Sequence, residues 1–365
     1  MLREDVGQLL WIGFAGPEAT PALLGKLARG EAGATILFKR NLRFTALGEP
    51  PQEVCDLDAL VELNRALHVA APDGTPALIA VDQEGGLVQR VRAPATQWPP
   101  MMAHAGLPAD DTAVAEQVGK AIGDELRALG FDIDFAPVLD VHTNPDNPII
   151  GERAFATEPE AAARRALAFA KGLAAAGILA CGKHFPGHGD TATDSHLELP
   201  RIDHPWERLE RVELLPFRRA AIAGLPMLMT AHVVFAALDP TRPATLSPQV
   251  VTGLLREQLH YAGVIVSDDL DMKAIASHMG ADVAAVAAIE AGCDVLLLCR
   301  DEANQERAAR ALIVACERDS AFRAKVGVAA ARVRAMKAAP RAAVPSRDVV
   351  GSFVHRRLAD RLAGR

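Results

Sequence analysis

The sequence lacks any apolar stretch of about 18 residues, the length that a membrane-spanning helix needs, so it predicts no membrane span. It also lacks the basic start and apolar block of a secretory signal peptide, because Glu4 and Asp5 stand there instead. These absences predict a protein of the cytoplasm. Hydrophobic residues make up 50% of the chain, which is enough for a large buried core.

Cysteine is scarce: the chain holds five, scattered and odd in number. None has the CxxC spacing that is typical of zinc sites. Cys181, Cys293 and Cys299 lie in or beside apolar, strand-like runs. The pattern predicts buried thiols in a reducing compartment.

An overall positive charge is missing too, since the formal net charge is −7. This argues against nucleic acid as the main partner. Basic residues are nevertheless concentrated near the C-terminus, where residues 321–365 hold 11 Lys or Arg against two aspartates. We interpret this region as a pair of solvated helices, with a surface for an anionic partner as the alternative.

Short apolar runs alternate with amphipathic, alanine-rich segments along most of the chain. The runs are continuous, as expected for strands of a parallel sheet that is covered on both faces. Strands are predicted at residues 9–14, 34–38, 77–81, 133–138, 178–181, 227–230, 264–266 and 294–298. Helices are predicted at residues 57–71, 112–129, 159–176, 205–223, 247–259 and 283–291.

Eight strands that alternate with helices predict an α/β fold, a (β/α)8 TIM barrel forming a single domain. Polar motifs follow many different strands, which favours a barrel over a doubly wound sheet with one switch point. The Gly85-Gly86 pair lacks GxGxxG spacing and does not indicate a nucleotide site. We predict a catalytic barrel over residues 1–317, followed by a helical tail over 318–365 that packs on the barrel or extends from it.

One stretch is unusually rich in reactive groups: residues 183–196 read KHFPGHGDTATDSH. It follows a predicted strand directly, where α/β proteins place active-site loops. Other polar segments follow other strands: VDQEGG at 81–86 with Arg90 beyond it, Asp140, GERAF at 151–155, and VSDDLDM at 266–272. In a barrel these segments converge on one pocket.

Carboxylates combined with Arg, Lys and His suit a polyhydroxylated ligand, because each hydroxyl donates to a carboxylate and accepts from a cation. The same set suits glycosidic bond cleavage. That reaction needs one carboxylate to trap an oxocarbenium-like centre and a second group to protonate the leaving oxygen.

These segments, together with MTAHV at 229–233, appear in order over roughly residues 5–300 and resemble glycoside hydrolase family 3. They are most similar to its bacterial cytoplasmic β-N-acetylhexosaminidases of peptidoglycan recycling. The resemblance implies a retaining exo-β-N-acetylglucosaminidase that acts on N-acetylglucosaminyl-1,6-anhydro-N-acetylmuramic acid fragments. We therefore expect a small carbohydrate as partner, a monomer, no cofactor and no metal.

The resemblance also implies roles for individual residues. Asp268 matches the catalytic nucleophile, and His196 matches a general acid/base with Asp194 as its partner. A retaining mechanism then predicts about 5–5.5 Å between Asp268 and the proton donor. The sugar-binding positions are Asp82, Arg90, Arg153, Lys183 and His184.

Alternative functions remain open at this point. A neutral histidine base tolerates an approaching anion, so phosphorolysis competes with hydrolysis. A β-glucosidase of the same family and a non-enzymatic sugar-binding barrel are further alternatives. The histidines and aspartates of residues 183–196 include metal-ligand types, but Lys183 beside His184 would repel a cation.

Some residues carry two interpretations. His188 and Asp190 are expected to be structural, and Asp140 is expected to brace the top of the barrel. Glu84 is either a sugar ligand or a partner of Arg90. Asp269 is expected to face solvent, and the glycines within residues 186–189 predict a mobile loop.

Overall fold

The computed structural model describes residues 2–47, 52–72, 76–108, 112–193 and 199–365. Eight parallel strands close into a barrel, which confirms the predicted fold. The strands are β1 (Leu10–Gly13), β2 (Ala34–Leu37), β3 (Leu78–Val81), β4 (Ile133–Asp134), β5 (Leu179–Phe185), β6 (Met227–Thr230), β7 (Val264–Asp269) and β8 (Val295–Leu298). They neighbour one another in chain order, and β8 pairs with β1 to complete the circle.

Three strands differ from their predicted bounds by three residues or more, and one of them, β7, continues to Asp269 instead of ending at Val266. β4 ends at Asp134, ahead of Pro137, which has no N–H to give to a ladder. β5 continues to Phe185, so Lys183 and His184 lie on the strand itself and not in the loop after it. A strand holds these two side chains more rigidly than a loop would.

Successive side chains of each strand point to opposite faces, so the strands have one apolar layer inside the barrel and a second one outside it. Trp11, Ile36 and Leu297 pack with one another inside the barrel. Leu10 and Ile12 belong to the second layer, between the strands and the surrounding helices. The side chains of both layers are buried, so the barrel interior is a packed core. A binding site can therefore form only at the ends of the strands.

Five of the six predicted helices are observed as expected. The structure adds helices for which no bounds were predicted, and together the helices cover the barrel. They are α1 (Leu2–Leu9), α2 (Pro21–Ala28), α3 (Leu57–Ala70), α4 (Ala113–Ala128), α5 (Pro159–Ala175), α6 (Trp206–Arg211), α7 (Leu215–Ile222), α8 (Gln249–Gln258, with π-type bonding), α9 (Lys273–Ala276), α10 (Ala281–Ala291), α11 (Glu302–Arg318), α12 (Ser320–Ala338) and α13 (Phe353–Leu362). The prediction of a single helix over 205–223 is wrong, because α6 and α7 are separate helices. Pro216 stands in the first turn of α7, where its missing N–H costs nothing.

Helix α12 closes the end of the barrel that is remote from the strands' C-termini. Its Val333 is fully buried and packs with the barrel interior. Lys337 Nζ donates to Gln8 Oε1 at 2.7 Å, to the Gly33 carbonyl at 2.7 Å and to the Pro76 carbonyl at 2.9 Å. Gly33 and Pro76 precede β2 and β3, so this lysine ties α12 to the strands' N-terminal ends.

The interpretation of the basic tail as solvated helices is wrong for its inward-facing residues. Arg332 contacts Asp294, and Arg341 contacts Asp132; both aspartates are almost completely buried. Part of the positive charge near the C-terminus therefore neutralises carboxylates beneath the barrel. In the described ranges, none of the helices has the length and apolar character to cross a membrane.

Candidate active site

A cavity of about 230 Å³ opens at the C-terminal ends of the barrel strands. The structure brings together six of the eight residues singled out from the sequence, contributed by β3, β4, β5, β7 and the loops after them. They are Asp82, Arg90, Arg153, Lys183, His184 and Asp268. The other two, Asp194 and His196, lie outside the described residues, and so does the predicted separation between Asp268 and its proton donor.

A short hairpin after β3 positions two of the acids. Gln83–Gly85 pairs in antiparallel fashion with Val88–Gln89, and it follows Asp82 directly. Gly85 has φ of +96°, and a Cβ there would lie 2.7 Å from the Pro99 carbonyl oxygen. Only glycine fits both constraints. Because alternate residues of a strand share a face, the hairpin directs Asp82 and Glu84 towards the same neighbour.

That neighbour is Lys183, which joins the two acids into one ion cluster. Its Nζ lies 2.8 Å from Asp82 Oδ1 and 2.6 Å from Glu84 Oε1. Arg153 binds Glu84 with two parallel hydrogen bonds of 2.7 and 2.8 Å. Arg90 lies 3.5 Å from Asp82. Glu84 is thus a partner of Arg153 and Lys183, not of Arg90.

The cluster keeps both acids ionised. Burial alone would raise the pKa of Glu84, but the charges of Arg153 and Lys183 lower it to about 2. Burial also raises the pKa of Asp82, but the positive charges of Lys183 and Arg90 outweigh this effect. The pKa of Asp82 is therefore below the ordinary value. The Asp82 side chain is 15% exposed and that of Glu84 only 2%. Asp82 can therefore accept from a ligand, while Glu84 holds the two cations in place.

His184 is fixed by a buried carboxylate. Its Nδ1 lies 2.7 Å from Asp140 Oδ2, and Asp140 also accepts the backbone N–H groups of His184 and His188. Asp140 is fully buried. It braces the barrel top, as expected, and leaves Nε2 as the ring atom of His184 that can reach a ligand.

Residues 186–189 are tightly packed, which differs from the predicted mobile loop. A Cβ on Gly189 would lie 1.8 Å from the Val141 carbonyl oxygen, so this glycine permits a close backbone approach. His188 is buried, and its Nδ1 lies 2.8 Å from Thr191 Oγ1. Burial lowers the pKa of His188 to about 4, so it stays neutral. His188 is structural, as expected.

Asp190 is also structural. Its carboxylate accepts from the Thr143 hydroxyl at 2.7 Å and contacts His204. Arg208 lies 3.5 Å away. These contacts tie the end of the segment to the loop after β4 and to the start of α6.

The neighbouring acids at the end of β7 differ in environment. Asp268 lines the cavity, and its Oδ1 accepts the backbone N–H of Asp269 at 2.8 Å. Asp269 was expected to face solvent, but it is buried. Its Oδ1 accepts the N–H groups of Asp271 and Cys299, both at 3.1 Å. Burial, with the nearby Asp271 charge, raises the pKa of Asp269 to about 7.

This raised pKa predicts a pH-dependent effect of Asp269→Asn. The pKa of the Asp269 carboxyl is about 7 in the folded protein and 3.8 ordinarily. The protonated carboxyl therefore stabilises the fold fully below about pH 4, and this stabilisation is lost as the pH rises to about 7. Asparagine keeps the acceptor oxygen and never ionises. We expect the unfolding free energy of the variant, relative to wild type, to rise by about 2–4 kcal/mol between about pH 4.5 and about pH 8. Denaturant melts at both pH values measure it.

The exposed Asp146 provides the matched control. Asp146→Asn makes the same chemical change without burial, and its effect should be the same at both pH values. If the difference in unfolding free energy between Asp269→Asn and wild type does not vary with pH, the carboxyl of Asp269 does not have a raised pKa.

Asp134 is a residue that sequence reasoning missed. It is fully buried, and burial raises its pKa well above the ordinary value. Its Oδ1 accepts the N–H of Gln83 at 2.9 Å, and Gln83 Oε1 in turn accepts the N–H of Arg90 at 2.9 Å. Asp134 therefore supports the hairpin from below. The available signal was a single acid within an otherwise apolar strand.

Two residues from the motifs also have defined places. His232 is buried, with Nδ1 2.9 Å from Thr245 Oγ1 and Nε2 3.0 Å from the Asp269 carbonyl oxygen. It supports the backbone that carries the two neighbouring acids. Met272 lines the cavity as part of its apolar surface.

The profile of the glycosyl hydrolase family 3 N terminal domain matches residues 1–336. The chain belongs to glycosyl hydrolase family 3. It is 42% identical over 294 residues to a beta-hexosaminidase from Alkalilimnicola ehrlichii, covering 80% of each chain. It is 39% identical over 295 residues to beta-hexosaminidase A from Pseudoalteromonas piscicida. That match covers 76% of this chain and 47% of the relative, so it spans about half of the relative's length.

Among solved structures of this family, the barrel is similar to a β-N-acetylglucosaminidase from Paenibacillus. The TM-score is 0.87 at 38% identity, covering 100% of this chain and 68% of that one. The matches confirm the predicted family and enzyme class, a glycoside hydrolase of the β-N-acetylhexosaminidase type that acts on a carbohydrate.

Proposed function

We propose that this glycoside hydrolase is a retaining exo-β-N-acetylglucosaminidase that releases a non-reducing terminal N-acetylglucosamine. One observation carries the proposal: Asp268 lines the same cavity as the ion cluster of Asp82, Lys183 and Arg153. A retaining glycosidase needs an attacking carboxylate beside groups that hold the sugar hydroxyls.

The ion cluster supports binding of a polyol. Asp82 accepts from a hydroxyl, whereas Lys183, Arg153 and Arg90 donate. His184 adds Nε2 as a further polar atom. Since the cations and acids already hold one another in place, binding the sugar costs little reorganisation of the protein.

In the proposed mechanism, Asp268 attacks the anomeric carbon as the glycosidic bond breaks, and His196 gives its proton to the departing oxygen. Neutral His196 then takes a proton from water, which attacks the glycosyl–Asp268 ester and releases a sugar with retained configuration. Asp194 favours the protonated imidazole, whose ordinary pKa is about 6.5. The roles of His196 and Asp194 rest on the match of residues 183–196 to the family motif.

The proposed natural substrate is a peptidoglycan fragment, N-acetylglucosaminyl-1,6-anhydro-N-acetylmuramic acid, hydrolysed by a monomer in the cytoplasm. The similarity of the motifs to the peptidoglycan-recycling members supports it. We propose residues 1–317 as the catalytic unit, with residues 318–365 packed against it through α12.

The test is hydrolysis of aryl β-N-acetylglucosaminides. We expect the β anomer of N-acetylglucosamine to appear first by NMR, without added phosphate. His196→Ala should lower turnover at least about 100-fold for a poor leaving group and much less for dinitrophenol, which needs no proton. His278→Ala, at an exposed histidine, is the matched control.

Other outcomes point to other functions. A phosphate requirement with release of a sugar 1-phosphate would indicate phosphorolysis. First appearance of the α anomer would rule out retention, and a preference for aryl β-glucosides would indicate a β-glucosidase.

A further inference from the structure

Two arginines line the cavity apart from the ion cluster. Arg40 follows β2, and Arg300 follows β8. In the barrel, β1 alone lies between these strands, and β8 neighbours β7, which carries Asp268. The two guanidinium groups therefore occupy the part of the cavity mouth next to the proposed nucleophile.

Arg40 is held in one orientation. Its Nε donates to the Phe14 carbonyl at 2.9 Å, and Nη2 donates to the Cys299 carbonyl. The guanidinium lies over the ring of Phe38 at 4.4 Å from its centroid. An arginine fixed on an aromatic face presents its remaining N–H groups in a defined direction, as carboxylate recognition requires.

The charges of these arginines are not balanced as those of the cluster are. Within the described residues, no carboxylate oxygen lies within 4.0 Å of the Arg40 guanidinium, and Arg300 has only Asp269 at 4.0 Å. With its pKa raised to about 7, Asp269 is only partly ionised at neutral pH. Partial burial and the positive charge of Arg300 lower the pKa of Arg40, and the Asp269 carboxyl opposes them. Two neighbouring cations with only this one carboxylate at 4.0 Å among the described residues can bind a further anion.

We propose that Arg40 and Arg300 bind a carboxylate on the leaving group of the substrate and so select acidic aglycones. The inference rests on the proposed function. The N-acetylglucosamine unit is uncharged, and the cluster around Asp82 and Lys183 already supplies partners for its hydroxyls. The carboxylate-binding pair therefore serves the part of the substrate beyond the scissile bond.

The experiment compares two disaccharides that differ only in charge: N-acetylglucosaminyl-β-1,4-N-acetylmuramic acid and its methyl ester. We expect wild type to have about tenfold higher kcat/KM for the acid, and Arg300→Gln to reduce this ratio about fivefold. The preference should also weaken between about 0.05 M and about 0.5 M salt. Turnover of the methyl ester and of a neutral aryl β-N-acetylglucosaminide should fall less in the variant than turnover of the acid does.

Arg307→Gln, at an exposed arginine of α11, controls for the loss of one positive charge. Arg40→Gln is the second variant. If it unfolds because the hydrogen bonds to the Phe14 and Cys299 carbonyls are lost, the Arg300→Gln variant still tests the inference. A wild-type ratio near one overturns the inference, as does an equal loss on acid, ester and aryl substrate. Absence of activity on every N-acetylglucosaminide would instead refute the proposed function.

Discussion

Asp268→Asn should lower kcat/KM for an aryl β-N-acetylglucosaminide by at least about 10³-fold without unfolding the protein. Asparagine has the same shape, and its oxygen still accepts the Asp269 N–H that Asp268 accepts at 2.8 Å. The change removes the anionic oxygen that, in the proposed mechanism, attacks the anomeric carbon. Steady-state kinetics and a thermal melt of the same sample measure the two effects.

Asp269→Asn is the matched comparison, one residue along the same strand. Its Oδ1 accepts the N–H groups of Asp271 and Cys299, and asparagine keeps that acceptor, so we expect activity within about tenfold of wild type. If Asp269→Asn is inactive and Asp268→Asn is active, the nucleophile has been assigned to the wrong acid.

Lys183→Met should lower the unfolding free energy by about 3–5 kcal/mol at neutral pH and abolish sugar binding. The lysine side chain is 3% exposed and bridges Asp82 and Glu84. Without it, two buried carboxylates lose their shared cation, and methionine offers no hydrogen bond in return. Denaturant melts and equilibrium binding of N-acetylglucosamine measure the change.

The pH dependence of this effect has a definite sign. The pKa values of Asp82 and Glu84 are lowered, so the stability they contribute is present above about pH 4.5 and is lost as the pH falls towards 2. The difference between Lys183→Met and wild type should therefore shrink at about pH 3. Lys171→Met, at an exposed lysine paired with Glu116, should cost less than about 1 kcal/mol. Equal costs for both variants would contradict the buried ion cluster.

The fold was largely predictable because its signals are local. Apolar runs of three to six residues mark strands covered on both faces, and each lies where a barrel strand is observed. The polar residues after those runs predicted a common cavity, because parallel strands that close into a barrel end at one face. Asp82, Lys183 and Asp268 line that cavity.

The mistaken expectations concern contacts between distant parts of the chain. Nothing local to Asp269 indicates that the N–H of Cys299, 30 residues on, covers it. Lys337 belongs to a strongly basic segment, yet it is buried against Gln8, 329 residues away. The sequence left Glu84 open between a sugar ligand and a partner of Arg90, whereas the structure pairs it with Arg153, 69 residues away.

The sequence by itself determined the kinds of elements, their order and the chemistry available at the strand ends, since these depend on hydrophobic pattern and residue type. Only the tertiary structure decided which charges meet and how far each is exposed: the Glu84 side chain is 2% exposed against 15% for Asp82, and Asp269 is buried while Asp268 is half-buried. The physical reason is that the energy of a charge depends on its distance to others and on its access to water. Both are defined only once the barrel has closed.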